Sequence, residues 1–148
     1  NIAGQTGMII SPRLWRKYIK PYYKRLIDSL KSKVKYFFYH SDGDLRAIIP
    51  DLIEIGINIL NPIQSDCMNP AELKELYGDK LTLWGGLSVQ ETLPYGTIED
   101  VKNEVKRTFV VCIGSFAFIF NVCNRPDVQR VAFVDCSDYN SLDRRSEK

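Results

Sequence analysis

The chain's single histidine, His40, stands beside Ser41 and Asp42, directly after the apolar run 34–39. An imidazole exchanges protons near neutral pH, and imidazole and carboxylate groups both bind metal ions. The run is rich in aromatic residues and predicts a buried strand. Active sites of α/β folds lie at the carboxyl ends of such strands. We therefore expect His40 and Asp42 to be catalytic and Ser41 to contact substrate.

Other polar or flexible residues follow the remaining predicted strands. The amide of Asn61 can hydrogen-bond a substrate carboxylate or amide, although Asn61-Pro62 is equally a turn signal. Trp84 offers a flat ring beside bare glycine backbone, which suits a planar or extended ligand as well as ordinary strand-end packing. The predicted substrate-binding residues are Ser41, Asn61, Gln64, Trp84, Gly85, Gly86, Gln90 and Asn121.

The elements that must position these residues alternate between helix and strand. Ser11-Pro12 predicts the start of a helix that is interrupted at Pro21 and continues to about residue 33. After the strand at 34–39, Asp44 is expected to cap a helix that Gly56 ends, and a strand over 57–60 follows.

The same alternation continues in the second half of the chain. Asn69 and Gly78 bracket the next predicted helix, and a strand over 81–84 follows it. Thr97 is expected to cap a further helix before a strand at 116–120. Strands that alternate with helices predict an α/β fold whose strands are parallel and joined by right-handed crossovers.

Composition limits the classes of function. The 148 residues carry a formal net charge of +2, which gives no argument for a nucleic-acid or membrane partner. No apolar run is long enough to span a bilayer, and residues 1–5 show no basic region followed by an apolar stretch, so we expect no signal peptide there. The four cysteines lack a Cys-x-x-Cys pair, which favours a reducing cytoplasm. We expect one domain over residues 1–136 and a polar, disordered tail over 137–148.

Several motifs resemble one family in sequence and in order. They are QTGMIISP at 5–12, HSDG at 40–43, IPDLIEIG at 49–56, ILNPIQ at 59–64, LKELYGDKLTLWGG at 73–86 and LPYGT at 93–97. The chain resembles the carboxyl-terminal half of the uroporphyrinogen decarboxylase superfamily, which includes corrinoid-linked methyltransferases that act on coenzyme M and similar thiols. The resemblance implies about half of a (β/α)8 barrel. The start at Asn1 without a methionine favours a fragment.

The resemblance also implies a chemistry. In the methyltransferase branch, a His-x-Cys pair and a later Cys hold zinc. In this sequence His40 matches the histidine, Asp42 replaces the first cysteine, and Cys123 lies near the later ligand. The expected metal ligands are thus His40, Asp42 and Cys123, with zinc as cofactor, a small-molecule substrate, and a corrinoid on a partner protein as methyl carrier.

Two other functions stay open at this point. One is porphyrinogen decarboxylation, which needs no cofactor, although the sequence has Val122, Cys123 and Asn124 where decarboxylases of the family carry a histidine. The other is a truncated paralogue without catalysis. Four strands also leave two open sheet edges, so we expect an amino-terminal half or a second copy of the chain to cover them.

Overall fold

Strands and helices alternate along most of the chain, as predicted. The computed structural model describes residues 1–111, 118–120 and 132–134. The strands are β1 (Ala3–Gly4), β2 (Gly7–Met8), β3 (Phe38–His40), β4 (Ile59–Ile63), β5 (Thr82–Gly85), β6 (Phe118–Phe120) and β7 (Ala132–Val134). The helices are α1 (Pro12–Leu14), α2 (Lys20–Leu30), α3 (Ile49–Glu54), α4 (Pro70–Tyr77), α5 (Thr92–Tyr95) and α6 (Ile98–Val111).

The main sheet has the strand order β3-β4-β5-β6-β7. The first four strands run parallel, and β7 pairs antiparallel with β6. Parallel strands in chain order with helices between them are what consecutive units of a barrel form, so the predicted α/β class and partial-barrel architecture are confirmed. The antiparallel β7 and the separate hairpin of β1 and β2 were not predicted.

The two faces of the parallel sheet differ in burial. Tyr39, Leu60 and Leu83 lie side by side on adjacent strands and are at most 4% exposed. The ring of Tyr23 on α2 packs edge-on against Tyr39, with 5.4 Å between ring centroids. Side chains alternate along a strand, so Phe38, which is 46% exposed, lies on the opposite face. His40 shares that less covered face.

The first helix is more continuous than expected. Ser11 caps its start, because the Ser11 Oγ accepts a hydrogen bond from the Leu14 N–H at 3.3 Å. The predicted interruption at Pro21 is wrong. A π-helical turn over Trp15–Ile19 precedes Pro21, with the Lys20 N–H bonded to the Trp15 carbonyl, and α2 then continues to Leu30. The wider turn accommodates a proline that has no N–H to donate.

Strand β3 begins four residues later than predicted, at Phe38. The Val34 N–H still bonds to the Leu30 carbonyl at 2.9 Å, so the start of the apolar run closes the preceding helix. Pairing with the next strand begins only at Phe37, whose N–H donates to the Asn58 Oδ1 at 3.0 Å. The predicted strands at 57–60 and 81–84 are displaced less, to Ile59–Ile63 and Thr82–Gly85.

The start of α3 also differs from the prediction. Asp44 accepts a hydrogen bond from the Arg46 N–H at 3.0 Å, but a 3-10 turn over Arg46–Ile48 intervenes before α3 begins at Ile49. Asp44 therefore stabilises this turn and is not the cap of α3. At the other end Gly56 adopts φ of +102°, the left-handed conformation that stops the helix as expected.

The two caps predicted in the second half are confirmed. The Asn69 Oδ1 accepts from the Ala71 N–H at 2.9 Å at the start of α4. Before α6, the Thr97 Oγ1 accepts from the Asp100 N–H at 3.2 Å, and the Asp100 Oδ2 accepts from the Thr97 N–H at 2.8 Å. This reciprocal pair is a capping box with aspartate as the acid.

Replacing Thr97 with alanine removes one half of this capping box. We expect the free energy of unfolding to fall by about 1 kcal/mol, the usual cost of losing an N-cap side chain. Thr97→Ser keeps the hydroxyl and is expected to stay within a few tenths of wild type. Urea unfolding monitored by circular dichroism measures both variants, and equal stabilities of Thr97→Ala and Thr97→Ser would contradict the prediction.

The remaining expectations on the chain's end lie outside the described residues, namely the domain limit at 136 and the tail at 137–148. Strand β6 begins at Phe118, within the predicted 116–120. None of the helices in the described ranges is long and apolar enough to cross a membrane.

Candidate functional site

The predicted site residues that follow β3, β4 and β5 lie at the carboxyl-terminal end of the parallel sheet. His40 is the last residue of β3 and pairs in register with Asn61 of β4. Trp84 belongs to β5, and Gly86 follows it. Parallel strands present their carboxyl ends on the same side, so the sheet gathers these residues as expected. Asn121 and Cys123 fall outside the described residues.

A hydrogen-bonded row connects three of these strands. The Asn61 Oδ1 lies 2.7 Å from the His40 Nδ1, and the Asn61 Nδ2 donates to the Trp84 carbonyl oxygen at 3.4 Å. A backbone carbonyl only accepts, so the amide nitrogen of Asn61 must point to Trp84 and its oxygen to His40. The His40 Nδ1 therefore carries the hydrogen, and in the neutral ring the lone pair is on Nε2.

Two aromatic side chains lie beside this hydrogen-bonded row. The ring of Phe38 packs edge-on against Trp84, with 5.2 Å between centroids, and stacks near the His40 ring at 6.5 Å. The indole Nε1 of Trp84 is buried and has no hydrogen-bond partner within the described part of the chain. A buried donor without a partner costs free energy until an acceptor reaches it. These rings and the polar row thus lie next to one another at the carboxyl end of the sheet.

The loop after β3 is held by the start of the chain. The Ser41 Oγ accepts from the Ile2 N–H at 3.1 Å and donates to the Asp42 carbonyl at 3.0 Å. The Asp42 Oδ2 accepts from the Asn1 Nδ2 at 2.7 Å. Ser41 is 1% exposed. The side chains of Ser41 and Asp42 thus bind the protein's own first residues, and their roles toward a substrate stay predictions.

Gln64 also holds this loop. Its Oε1 accepts from the Gly43 N–H at 3.0 Å, and its side chain is buried. Gln90, by contrast, is exposed and its Oε1 accepts from the Gln5 Nε2 at 2.6 Å, which ties the hairpin of β1 and β2 to the loop after β5. The hairpin's contacts with the site are the feature that the sequence did not reveal.

The paired glycines after Trp84 allow a close approach of backbone. Gly85 and Gly86 have φ of +131° and +90°. A Cβ at Gly85 would lie 2.7 Å from the Ile63 nitrogen, and the Gly86 N–H donates to the Ile63 carbonyl at 2.7 Å. Gly85 is therefore required by the close β4–β5 contact, and Gly86 by its left-handed conformation, whatever they do toward a ligand.

The predicted metal ligands are only partly described. His40 bonds to Asn61 and Asp42 bonds to Asn1, and no hydrogen bond or ion pair joins the His40 and Asp42 side chains. Within residues 1–111, 118–120 and 132–134, no three His, Cys, Asp or Glu side chains are grouped so as to hold a metal ion. Because Cys123 is not among them, the ligand set His40, Asp42 and Cys123 stays a prediction.

Cys67 is the cysteine whose side chain the structure describes. Its thiol is half-buried, and burial together with the nearby charge of Asp66 raises its pKa above the usual range. Cys67 is therefore a thiol at neutral pH, which is the unreactive form.

Comparison with known proteins gives the family. No curated protein matches the chain, and no solved structure does. The family model described as Uroporphyrinogen decarboxylase (URO-D) matches residues 1–123, which include β3, β4, β5 and the row His40–Asn61–Trp84. The chain therefore belongs to the uroporphyrinogen decarboxylase family.

Proposed function

We propose that the chain is the carboxyl-terminal part of a methyltransferase of this family, in which His40 binds a zinc ion through Nε2. One observation carries the proposal, the hydrogen bond of 2.7 Å that fixes the hydrogen on the His40 Nδ1. Histidines that bind metals usually donate their other ring N–H to an oxygen acceptor, which orients the ring and sets the tautomer. Asn61 provides such an acceptor.

The donor set suits zinc. Imidazole nitrogen, carboxylate oxygen and thiolate sulfur are all zinc ligands, and His40, Asp42 and Cys123 would supply one of each, which leaves a fourth position for substrate. Asp42 would have to exchange its bond with Asn1 for the metal. A bound zinc lowers the pKa of a thiol that enters its open position. The methyl group would come from a corrinoid on a partner protein.

The chain's own residues would bind and orient the substrate that accepts the methyl group. Phe38 stacks beside the His40 ring and packs edge-on against Trp84, so an apolar surface adjoins the imidazole on one side. The Trp84 Nε1 lacks another partner in the described part of the chain, and after a shift of the indole that exposes it, it would donate to an acceptor atom of the small-molecule substrate. Asn61 holds the His40 ring in place throughout and exchanges no proton.

Porphyrinogen decarboxylation is the second candidate. It is favoured by the bond between Asp42 and Asn1, which holds this carboxylate on the chain's first residue and not beside His40. In a decarboxylase no cofactor is needed, and the His40 Nε2 would be a hydrogen-bonding group for a substrate carboxylate. A third reading, a paralogue without catalysis, predicts neither metal binding nor turnover.

The uncovered face and edge of the sheet suggest a further partner. Within the described residues, β3 pairs only with β4, and Phe38 is 46% exposed on the face that carries His40. We infer that an amino-terminal half-barrel, or a second copy of the chain, covers this edge, because an open parallel edge leaves backbone donors and acceptors unpaired.

Zinc binding by three variants tests the role of His40. We expect one zinc per chain in wild type, and its loss in His40→Asn, whose amide retains a donor near the Nδ1 position but has no equivalent of Nε2. Asn61→Leu is expected to weaken zinc binding about 10- to 100-fold, whereas Asn61→Asp, which retains an oxygen acceptor, keeps most of the affinity. Competition with a chromophoric chelator gives the affinities.

The outcome separates the candidate functions. Wild-type protein that binds neither zinc nor cobalt, or His40→Asn that binds zinc as tightly as wild type, would overturn the methyltransferase proposal. Release of CO2 from uroporphyrinogen by the metal-free protein would establish the decarboxylase instead. Absence of both activities in protein that includes the amino-terminal half would favour the paralogue.

A further inference from the structure

Positive charge is concentrated in one segment of the chain, residues 13–35. The segment contains nine of the chain's 20 Lys and Arg residues and one of its 18 Asp and Glu residues, Asp28. Its formal charge is therefore +8, and the rest of the chain carries −6. The net charge of +2 conceals this separation, because a charged partner meets a local surface and not the average of the chain.

An exposed stripe of large side chains runs along the continuous helix 12–30, which this segment forms. Its members recur at every fourth position and are between 42% and 65% exposed, namely Leu14, Tyr18, Tyr22 and Leu26. Residues four apart are neighbours on a helix surface, so the four side chains are contiguous. The helix buries a different face, which carries Trp15 and Ile27, in the hydrophobic core. A contiguous exposed stripe of this kind marks an interaction surface.

The stripe lies on the flank of the helix that faces away from α3. Arg16 and Lys20, which bond to Asp51 of α3, are each two residues from members of the stripe. Positions two apart on a helix point about 200° apart, so α3 holds the opposite flank. A groove of about 540 Å³ follows the helix, and Tyr18 and Tyr22 line it. The stripe and the groove are thus open to a partner from the side away from α3.

Cations without acidic partners border the stripe. Arg13, Lys17 and Arg25 are exposed, and none of them forms an ion pair with a described residue. The Lys17 Nζ lies 4.9 Å from the centroid of the Tyr18 ring, and the Arg25 Cζ lies 4.6 Å from the centroid of the Tyr22 ring. Such cation–π contacts hold the charges next to the rings. The helix therefore presents tyrosine rings with positive charge directly beside them.

The combination of charge and apolar side chains distinguishes between kinds of partner. A second copy of the chain would bring two segments of the same charge together, and they repel. A nucleic acid stacks its bases on aromatic rings, and Leu14 and Leu26 offer none. A folded protein, such as the amino-terminal half-barrel, would have to place an acid against each unpaired cation in a desolvated interface. An anionic bilayer supplies phosphates at any position, and its interface accepts tyrosine and leucine side chains.

We propose that the helix 12–30 binds the surface of an anionic lipid bilayer, with its axis in the membrane plane. The side chains of the stripe enter the boundary between headgroups and acyl chains, and Arg13, Lys17 and Arg25 contact lipid phosphates. The binding is peripheral, since no helix in the described part of the chain is long and apolar enough to cross a membrane. The proposal does not rest on the zinc site at His40.

Co-sedimentation of the 148-residue chain with vesicles tests the proposal. We expect binding to vesicles that contain phosphatidylglycerol and none to vesicles of phosphatidylcholine alone. Binding should fall as the salt concentration rises, because salt screens exposed charges. Lys17→Gln with Arg25→Gln is expected to weaken binding about 10- to 30-fold, at about fivefold per cation. Lys80→Gln with Lys102→Gln, which removes the same charge from exposed positions outside the segment, should leave binding nearly unchanged.

Substitutions in the stripe separate insertion into the interface from attraction by charge alone. Tyr18→Ser with Tyr22→Ser keeps every charge and is expected to weaken binding about tenfold, because two rings no longer enter the interface. Both positions are exposed, so circular dichroism should show an unchanged fold. Binding by this variant equal to that of wild type would contradict insertion of the stripe.

Other outcomes would also overturn the proposal. One is equal binding to both kinds of vesicle, and another is equal binding by the Lys17 and Arg25 variant and its control. Tighter binding of a single-stranded RNA than of vesicles would assign the segment to nucleic acid. A dimer that dissociates on substitution of the two tyrosines would assign the stripe to a second copy. Loss of vesicle binding in protein that includes the amino-terminal half would assign it to the half-barrel. None of these measurements involves zinc or turnover, so their failure is distinguishable from failure of the proposed methyl transfer.

Discussion

Gly43→Ala is expected to lower the free energy of unfolding by about 3 kcal/mol and to displace the loop that follows His40. Gly43 has φ of +88°, and a Cβ there would lie 2.5 Å from the Gly4 carbonyl oxygen and 2.7 Å from the Ala3 carbonyl carbon. Those atoms belong to the backbone and cannot rotate away. The substitution thus adds a collision to the strain of a left-handed conformation, and the hairpin of β1 and β2 must move.

Gly7 provides a matched control for this prediction. Its φ of +138° is also strained for alanine, but an added Cβ would meet nothing within 4 Å. Gly7→Ala is therefore expected to cost about 1–2 kcal/mol, from backbone strain alone. Urea unfolding of both variants isolates the collision as the difference between them. Equal destabilisation would show that the contact between Gly43 and the hairpin contributes nothing.

The contact between Gly43 and the hairpin belongs to the part of the site that the sequence did not predict. The alternation of strands and helices and the caps at Asn69 and Thr97 follow from local sequence patterns. This alternation places His40, Asn61 and Trp84 at the carboxyl-terminal end of the sheet. The hairpin of β1 and β2 has two residues in each strand, too few for an alternating pattern. The bonds that Asn1 and Ile2, just before the hairpin, make to Asp42 and Ser41 span 41 and 39 positions and leave no periodic signal.

The hydrogen-bond partner of His40 is the second feature that the sequence did not predict. Asp42 is two residues from His40, and a neighbouring acid is the partner that sequence proximity suggests. Residues i and i+2 of an extended chain share a side, but Asp42 follows the end of β3, where the chain turns toward Asn1. The register of β3 and β4 instead sets Asn61 opposite His40. Register depends on the packing of the whole sheet, so no local pattern encodes it.

The ion pairs that join the π-helical turn and α2 to α3 show the same limit. Arg16 and Lys20 look like solvated charges on an amphipathic helix, yet both bond to Asp51 of α3, more than thirty residues away. Lys20 also bonds to Glu54 at 2.7 Å. The Asp51 side chain is 10% exposed, so the ion pair joins the two helices at a partly desolvated position. This pairing gives the second large prediction.

Asp51→Ala is expected to lower the free energy of unfolding by about 2–3 kcal/mol at pH 7, because it leaves the Lys20 ammonium, 16% exposed, without its buried partner. Glu54→Ala is the control. It removes a contact of equal length to the same Lys20 Nζ, but the Glu54 side chain is 67% exposed, so the expected cost is at most about 0.5 kcal/mol. Urea unfolding at pH 7 compares the two, and a cost for Glu54→Ala as large as that for Asp51→Ala would contradict a role for burial.

The pH dependence of the stability difference between wild type and Asp51→Ala is a separate check. Burial raises the pKa of Asp51, but the hydrogen bonds from Arg16 and Lys20 and their charges outweigh it, so the folded-state pKa lies below the usual value. A carboxyl whose pKa is lowered by folding stabilises the protein above its unfolded pKa of about 3.9, and this contribution is lost as the pH falls through the folded value. The gap in stability between wild type and Asp51→Ala should therefore narrow below about pH 4. A gap that stays constant down to pH 3 would mean that Asp51 stabilises the helix pair by packing and not by charge.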